Sequence, residues 1–180
     1  MKYRSMILLL ALAAMPATVL AGSNVTDPDA PRALQGDGPV TVTWTDPAGF
    51  SDLRYSGNRW EAEKGDWVAE LARHLQKSAA KRLPEGARME VTITDIQRAG
   101  RYEPWHGADR DHVRILRDNY PPMIELQFKL TTADGQVLAE GQRKLRDTAY
   151  LQRSSGLDSD NLRHEKRMID DWVRKELKAG

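Results

Sequence analysis

Residues 67–96, WVAELARHLQKSAAKRLPEGARMEVTITDI, change their apolar period once, and that change decides the fold. In the first half Trp67, Val68, Leu71, Leu75 and Ala79 recur at the spacing of one helix face, with Glu70, Arg73, Lys77 and Lys81 largely opposite. The spacing predicts a helix over residues 61–83, its regular part capped by Asp66. Leu83-Pro84-Glu85-Gly86 stops it, because proline lacks the N–H a helix needs and glycine accepts the turn that follows. From Met89 to Ile96 the period falls to two, which sets Met89, Val91 and Ile93 on one side of a strand.

Upstream, VTVTW (residues 40–44) alternates strictly, with Val40, Val42 and Trp44 on one face. Asp46-Pro47-Ala48-Gly49 ends that strand, and residues 50–59 read as loop. Strand, helix, strand in this order implies a right-handed parallel crossover. Downstream, Ile124, Leu126, Phe128 and Leu130 alternate in PPMIELQFKL, Asp134-Gly135 marks a hairpin turn, and the return strand spans residues 136–145. A polar linker, residues 147–158, leads to a last helix over residues 160–178, striped by Leu162, Ile169, Trp172, Val173 and Leu177. Asp158 and Asp160 at its start, and Arg174, Lys175 and Lys178 at its end, suit the helix dipole. The expected fold is α+β: a two-layer mixed β-sheet (β-α-β, a short edge strand at Val113, Ile115 and Leu116, and a β-hairpin) with two main helices on one face.

The first residues have another purpose. Lys2 and Arg4 precede an apolar run, residues 6–15, and Val19-Leu20-Ala21 supplies a cleavage site after about Ala21. Pro16 cuts the run short of a membrane span, so a cleaved signal peptide is expected, with periplasmic or secreted destination and no transmembrane span afterwards. Residues 22–39 read as a flexible lead-in and residues 40–178 as a single domain. The chain of 180 residues carries 27 basic and 26 acidic side chains. Losing Lys2 and Arg4 leaves 25 against 26, so bulk charge points to no nucleic-acid partner. There is no cysteine, which excludes disulfide scaffolds, thiol catalysis and iron–sulfur clusters.

Residues 97–120 break both periods and read as a long polar loop, a kind of segment that often carries function. His106, Asp109, Asp111 and His112 lie within it and are the best metal candidates, two imidazoles and two carboxylates within seven residues. Their spacing matches no established pattern, and the same residues on a solvated loop are two surface histidines among charges. His164-Glu165 opens like a metalloprotease helix but has Met168 where the second histidine belongs, so Glu165 and Lys166 read as surface residues. Neither a serine-nucleophile elbow nor a phosphate loop occurs, and no cofactor is expected.

The aromatics point elsewhere. Trp60 and Trp105 fall in irregular segments, and Arg101 and Tyr102 stand beside Trp105. Aromatic faces edged by arginine are what protein interfaces enrich. Asp95 alternates onto the apolar side of its strand, where a carboxylate caps a turn or marks a cleft. Trp60, Asp95, Arg101, Tyr102 and Trp105 are therefore the candidate binding residues, with no catalytic residue assigned.

TDIQRAGRYEPW (residues 94–105), PPMIELQFKL (121–130), ADGQVLAEG (133–141) and LRHEKRMIDDW (162–172) together resemble an uncharacterised family of exported bacterial proteins, a domain of unknown function. The resemblance spans residues 40–172 and implies an exported single-domain protein with no activity to carry over. The expected function is a non-enzymatic binding or protein-interaction module of the bacterial envelope, its partner an envelope protein or ligand. The alternative is a metal-dependent or acid/base hydrolase of envelope material using Asp95, His106, Asp109 and His112.

Overall fold

Val40, Val42 and Trp44 turn into the core and Thr41 to solvent, as alternation requires of a half-buried strand. The structure, a computed structural model, describes residues 24–34, 36–153 and 159–177. The expected signal peptide lies outside the described residues, as do Asp158 and Lys178. In chain order the elements are β1 (Val40–Trp44), α1 (Ser51–Arg54), α2 (Arg59–Glu63), α3 (Trp67–Ala80), β2 (Arg88–Gln97), β3 (Arg101–Tyr102), β4 (Arg114–Ile115), β5 (Met123–Thr131), β6 (Val137–Arg146) and α4 (Arg163–Glu176).

The main sheet has the order β1-β2-β5-β6, with β1 parallel to β2 and the other pairs antiparallel. Val42 stands opposite Val91, Val91 opposite Phe128, and Phe128 opposite Gly141. One face of these strands is apolar, and α3 and α4 cover it. Leu71, Leu75, Ile169 and Val173 share a single core with Ile93, Leu126 and Phe128. The Trp172 ring meets Phe128 edge-on at 5.8 Å. The expected α+β layering is therefore the fold of this chain.

Several details differ from the sequence-based expectations, each for a physical reason. The helix expected over residues 61–83 is two helices, because Gly65 takes φ +86° between them. Asp66 makes no side-chain cap; its carboxylate pairs with Arg73 at 2.6 Å. The loop expected after β1 contains α1, whose first N–H and hydroxyl, both of Ser51, are bound by the Asp95 carboxylate at 2.6 Å. The alternation that set Asp95 on the apolar face fails at a bulge between Ile93 and Asp95; Ile96 takes the inward place and Asp95 is half-buried. Residues 97–120 are not structureless: β3 and β4 pair as a small antiparallel ladder of their own rather than as an edge of the main sheet. Glu165, expected on the surface, is 1 % exposed.

The lead-in is packed where it is described. Leu34 donates its N–H to Val42 and Trp44 donates its own to Arg32, so the chain lies along the outer edge of β1. Farther back, Val25 is buried and its N–H is bound by the Glu63 carbonyl.

Candidate functional site

Asp52 sits on α1 with its side chain 2 % exposed and holds two arginines that come from opposite ends of the long loop. Its Oδ2 accepts from Arg98 Nη2 at 2.7 Å, Arg98 Nε at 3.0 Å and Arg114 Nη2 at 2.9 Å. Its Oδ1 accepts the Arg98 backbone N–H at 2.9 Å and Arg114 Nη1 at 3.1 Å. Burial pulls this carboxyl toward its neutral form, but the Arg98 and Arg114 charges and hydrogen bonds outweigh burial and hold its pKa below the usual value.

The two guanidiniums also organise their surroundings. Arg98 lies 4.1 Å from the Trp67 ring centroid and donates to the Ala62 carbonyl, which the Trp67 indole N–H also reaches. Arg114 lies 4.8 Å from the Tyr102 ring and donates to the Gly100 carbonyl at 3.1 Å. Between them Gly100 adopts φ +78°, and a Cβ there would stand 2.7 Å from the Ile115 carbonyl, so the turn needs glycine. From α4, Glu165 Oε1 accepts the Ala99 N–H at 2.5 Å, while Oε2 has no hydrogen-bond partner among the described residues. Burial raises the Glu165 pKa above the ordinary carboxyl value, only partly countered by the Ala99 N–H and the nearby arginines.

A second clamp lies in the outer half of the loop. The Glu103 side chain, also 2 % exposed, takes Arg117 Nη2 at 2.7 Å, Arg117 Nε at 3.0 Å, the Tyr120 hydroxyl at 2.9 Å and His106 Nε2 at 2.9 Å. The Arg117 hydrogen bonds, against the opposing effect of burial and with help from Tyr120, lower its pKa to about 2. Tyr150, fully buried, donates its hydroxyl to the Arg117 carbonyl and so ties the loop to the body. On the other side Asn58 Nδ2 donates to the Asp111 carbonyl, and Gly57 approaches Tyr102 and Pro104 too closely for any Cβ.

Against this frame the residues singled out from sequence fall into three groups. Trp60 on α2 and Trp105 in the 3-10 turn Pro104–His106 are each 66 % exposed, with the Lys64 ammonium 3.3 Å over the Trp60 ring. Both are in short helical turns rather than the irregular segments expected. Tyr102 is buried under Arg114, Arg101 is half-buried with its guanidinium 5.2 Å from the Tyr120 ring, and Asp95 serves α1. The proposed metal ligands are not brought together: His106 turns to Glu103, Asp109 is exposed, and His112 Nδ1 is 3.6 Å from its neighbour Asp111. Among the described residues no group of three or more such side chains is placed to hold an ion.

Asp52, Arg114, Arg117 and Glu165 were missed as site residues. No local signal could have found them, since Asp52 meets its arginines 46 and 62 residues away and Glu165 meets Ala99 across 66. Between the inner clamp and the start of α4 opens a cleft of about 420 Å³. No helix among the described residues is long and apolar enough to cross a membrane.

No curated protein and no solved structure matches the chain. The model of the family described as "Protein of unknown function (DUF3016)" matches residues 38–175, most of the chain, and the protein belongs to that family.

Proposed function

We propose that this family member is an exported, envelope-resident binding module that captures a protein partner through the surface built by residues 55–60 and 98–117. The carrying observation is that Trp60 and Trp105 stand two-thirds exposed on segments held by buried acid–arginine clamps. An interface gains most from a few large aromatic anchors, and loses least when those anchors are already ordered before the partner arrives. Tyr55, Val113 and Leu116 are further exposed apolar side chains on these segments. Export rests on Lys2, Arg4 and the apolar run of residues 6–15.

What favours binding over hydrolysis is the state of the carboxylates. An acid/base catalyst needs a pKa near working pH and a path to substrate. Asp52 and Glu103 are locked by arginines with depressed pKa values, and Glu165, whose pKa is raised, is sealed from solvent.

Crosslinking of the protein in its own envelope, followed by mass spectrometry, tests this reading. Trp105→Ala should weaken partner capture by about thirtyfold, the loss of a typical interface anchor. Its thermal midpoint should stay that of the parent, since the ring packs against little. Undiminished capture by both Trp60→Ala and Trp105→Ala would overturn the assignment.

A further inference from the structure

The two edges of the main sheet differ. Beside β1 the lead-in supplies a bridge, Ala33 opposite Thr43, and two backbone hydrogen bonds, Leu34 N–H to the Val42 carbonyl and Trp44 N–H to the Arg32 carbonyl. The other edge is β6, ten residues long, with β5 as its one strand neighbour among the described residues. The Asp147 N–H bonds the Pro122 carbonyl. By antiparallel alternation the odd-numbered residues of β6 therefore bond β5, while Glu140, Gln142, Lys144 and Arg146 turn their N–H and C=O groups outward. No backbone group among the described residues meets them there. Arg143 Nη1 lies on the Gln142 carbonyl at 3.0 Å, where the N–H of a neighbouring strand would stand. The strand contains no proline, one of the usual guards of an open edge.

We infer that β6 pairs antiparallel with β6 of a second copy of this chain, about a two-fold axis at Gln142, joining the two sheets into one. The register follows from charge. On the face away from the helices β5 reads Glu125, Gln127, Lys129, and β6 sets Lys144, Gln142 and Glu140 opposite them. An axis at Gln142 continues each row across the contact: Glu125 and Lys144 meet Glu140 and Lys129 of the second copy, alternating in sign, with the glutamines aligned between the two charged rows. Lys144 Nζ is bound to Glu125 at 2.7 Å, and its ammonium keeps two further N–H groups for a second carboxylate. Glu140 makes no ion pair among the described residues. Charges on an edge usually discourage pairing, and here they discriminate among registers. An axis at Glu140 or at Lys144 sets like charges face to face, one at Arg143 opposes two guanidiniums, and one at Gly141 gives Glu140 no cation. On the helix side the Gln142 axis brings Ala139 opposite Leu145, both partly buried against the core, and sets Gly141 opposite Arg143 with no side chain to obstruct it.

Sedimentation velocity of the purified protein over a concentration series tests this. The mass should pass from one chain to two, with a half-point at tens of micromolar for so small a contact. Lys144→Glu opposes two acids at both ends of the contact and should weaken dimerisation by about tenfold. Glu140→Lys/Lys144→Glu restores opposite charges across the axis and should regain much of the loss. Both side chains are exposed, so circular dichroism of these variants should match the parent. The register has its own readout, because the chain has no cysteine. Gln142→Cys places two thiols opposite each other with Cα atoms about 5.5 Å apart, within disulfide range. Mild oxidation should link this variant into a covalent pair, whereas Gln127→Cys, exposed in the same row but one strand inward, should stay single. A one-chain mass at every concentration up to millimolar overturns the proposal, as do equal linking of the two cysteine variants and dimerisation indifferent to Lys144→Glu. Linking of the Gln142→Cys variant to a different envelope protein, in place of its own copy, assigns the edge to a foreign strand and overturns it too. Trp60 and Trp105 lie on other segments, so Trp105→Ala should leave self-association unchanged, and the two proposals fail separately.

Discussion

Replacing Asp52 by Asn changes one atom of the inner clamp and removes its charge. Asn keeps an oxygen for the Arg98 N–H but puts an NH₂ where Oδ2 now accepts three guanidinium N–H groups, at 2.7, 2.9 and 3.0 Å. With the Asp52 side chain 2 % exposed and those of Arg98 and Arg114 at 13 % and 19 %, water cannot fully replace the lost acceptor. Removing one partner of such a buried pair costs about 3–5 kcal/mol. For a domain of this size that lowers the thermal midpoint by roughly 10–20 °C. Urea unfolding followed by circular dichroism at pH 7 measures the free energy directly, and Asp52→Asn/Arg98→Met should cost less than the sum of the two single changes.

The pH profile gives an independent check with a definite sign. The native Asp52 pKa lies below its ordinary 3.8, so on acidification the unfolded chain takes up the proton first. The clamp's contribution is therefore complete above pH 3.8 and is lost as pH falls from there through the native pKa. Asp52→Asn should remove this part of the acid slope. A variant within about 1 kcal/mol of the parent at pH 7, with an unchanged acid slope, would refute the view that this clamp holds the long loop.

Three further outcomes are expected. The Glu103 carboxyl, followed by carbon-detected NMR, should titrate near pH 2; its contribution to stability is present above pH 4.5 and lost as pH falls toward 2, and a midpoint near 4.5 would show the outer clamp to be open in solution. Glu165 has the opposite sign: its native pKa is raised, so its contribution is full below pH 4.5 and is lost as pH rises through the native value. Glu165→Gln, which keeps the oxygen for the Ala99 N–H, should therefore gain on the parent as pH rises above 4.5, and a constant gap between the two across that range would contradict the assignment. Expressed in a Gram-negative host, the protein should appear in the periplasm or medium with Gly22 as its first residue, as read by intact mass; a full-length cytoplasmic product would end the export reading.

Much of the fold was legible because its causes are local. Period two in residues 40–44, 89–93 and 124–130, period 3.6 in residues 67–79 and 162–177, and the Asp134-Gly135 turn each depend on neighbours a few positions apart. Where a single residue redirected the backbone, the pattern misled: Gly65 divided the expected helix, and the bulge after Ile93 moved Asp95 off the apolar face.

The candidate site was legible only in part. Its location on residues 97–120 followed from the failure of both periods, and the exposure of Trp60 and Trp105 agrees with their place outside every apolar stripe. Its chemistry was not visible. Composition and periodicity alone determined that this chain is a cysteine-free α+β protein with helices on one face of a mixed sheet, because burial of alternating apolar groups leaves few other solutions. Which acids would meet Arg98, Arg114 and Arg117 was decided by tertiary structure alone, whereas helical spacing sets pairs such as Arg59 with Glu63. Nothing in the nearby sequence selects partners for Asp52, Glu103 and Glu165, which acquired their roles only when folding removed water from around them and set specific N–H groups within 3 Å.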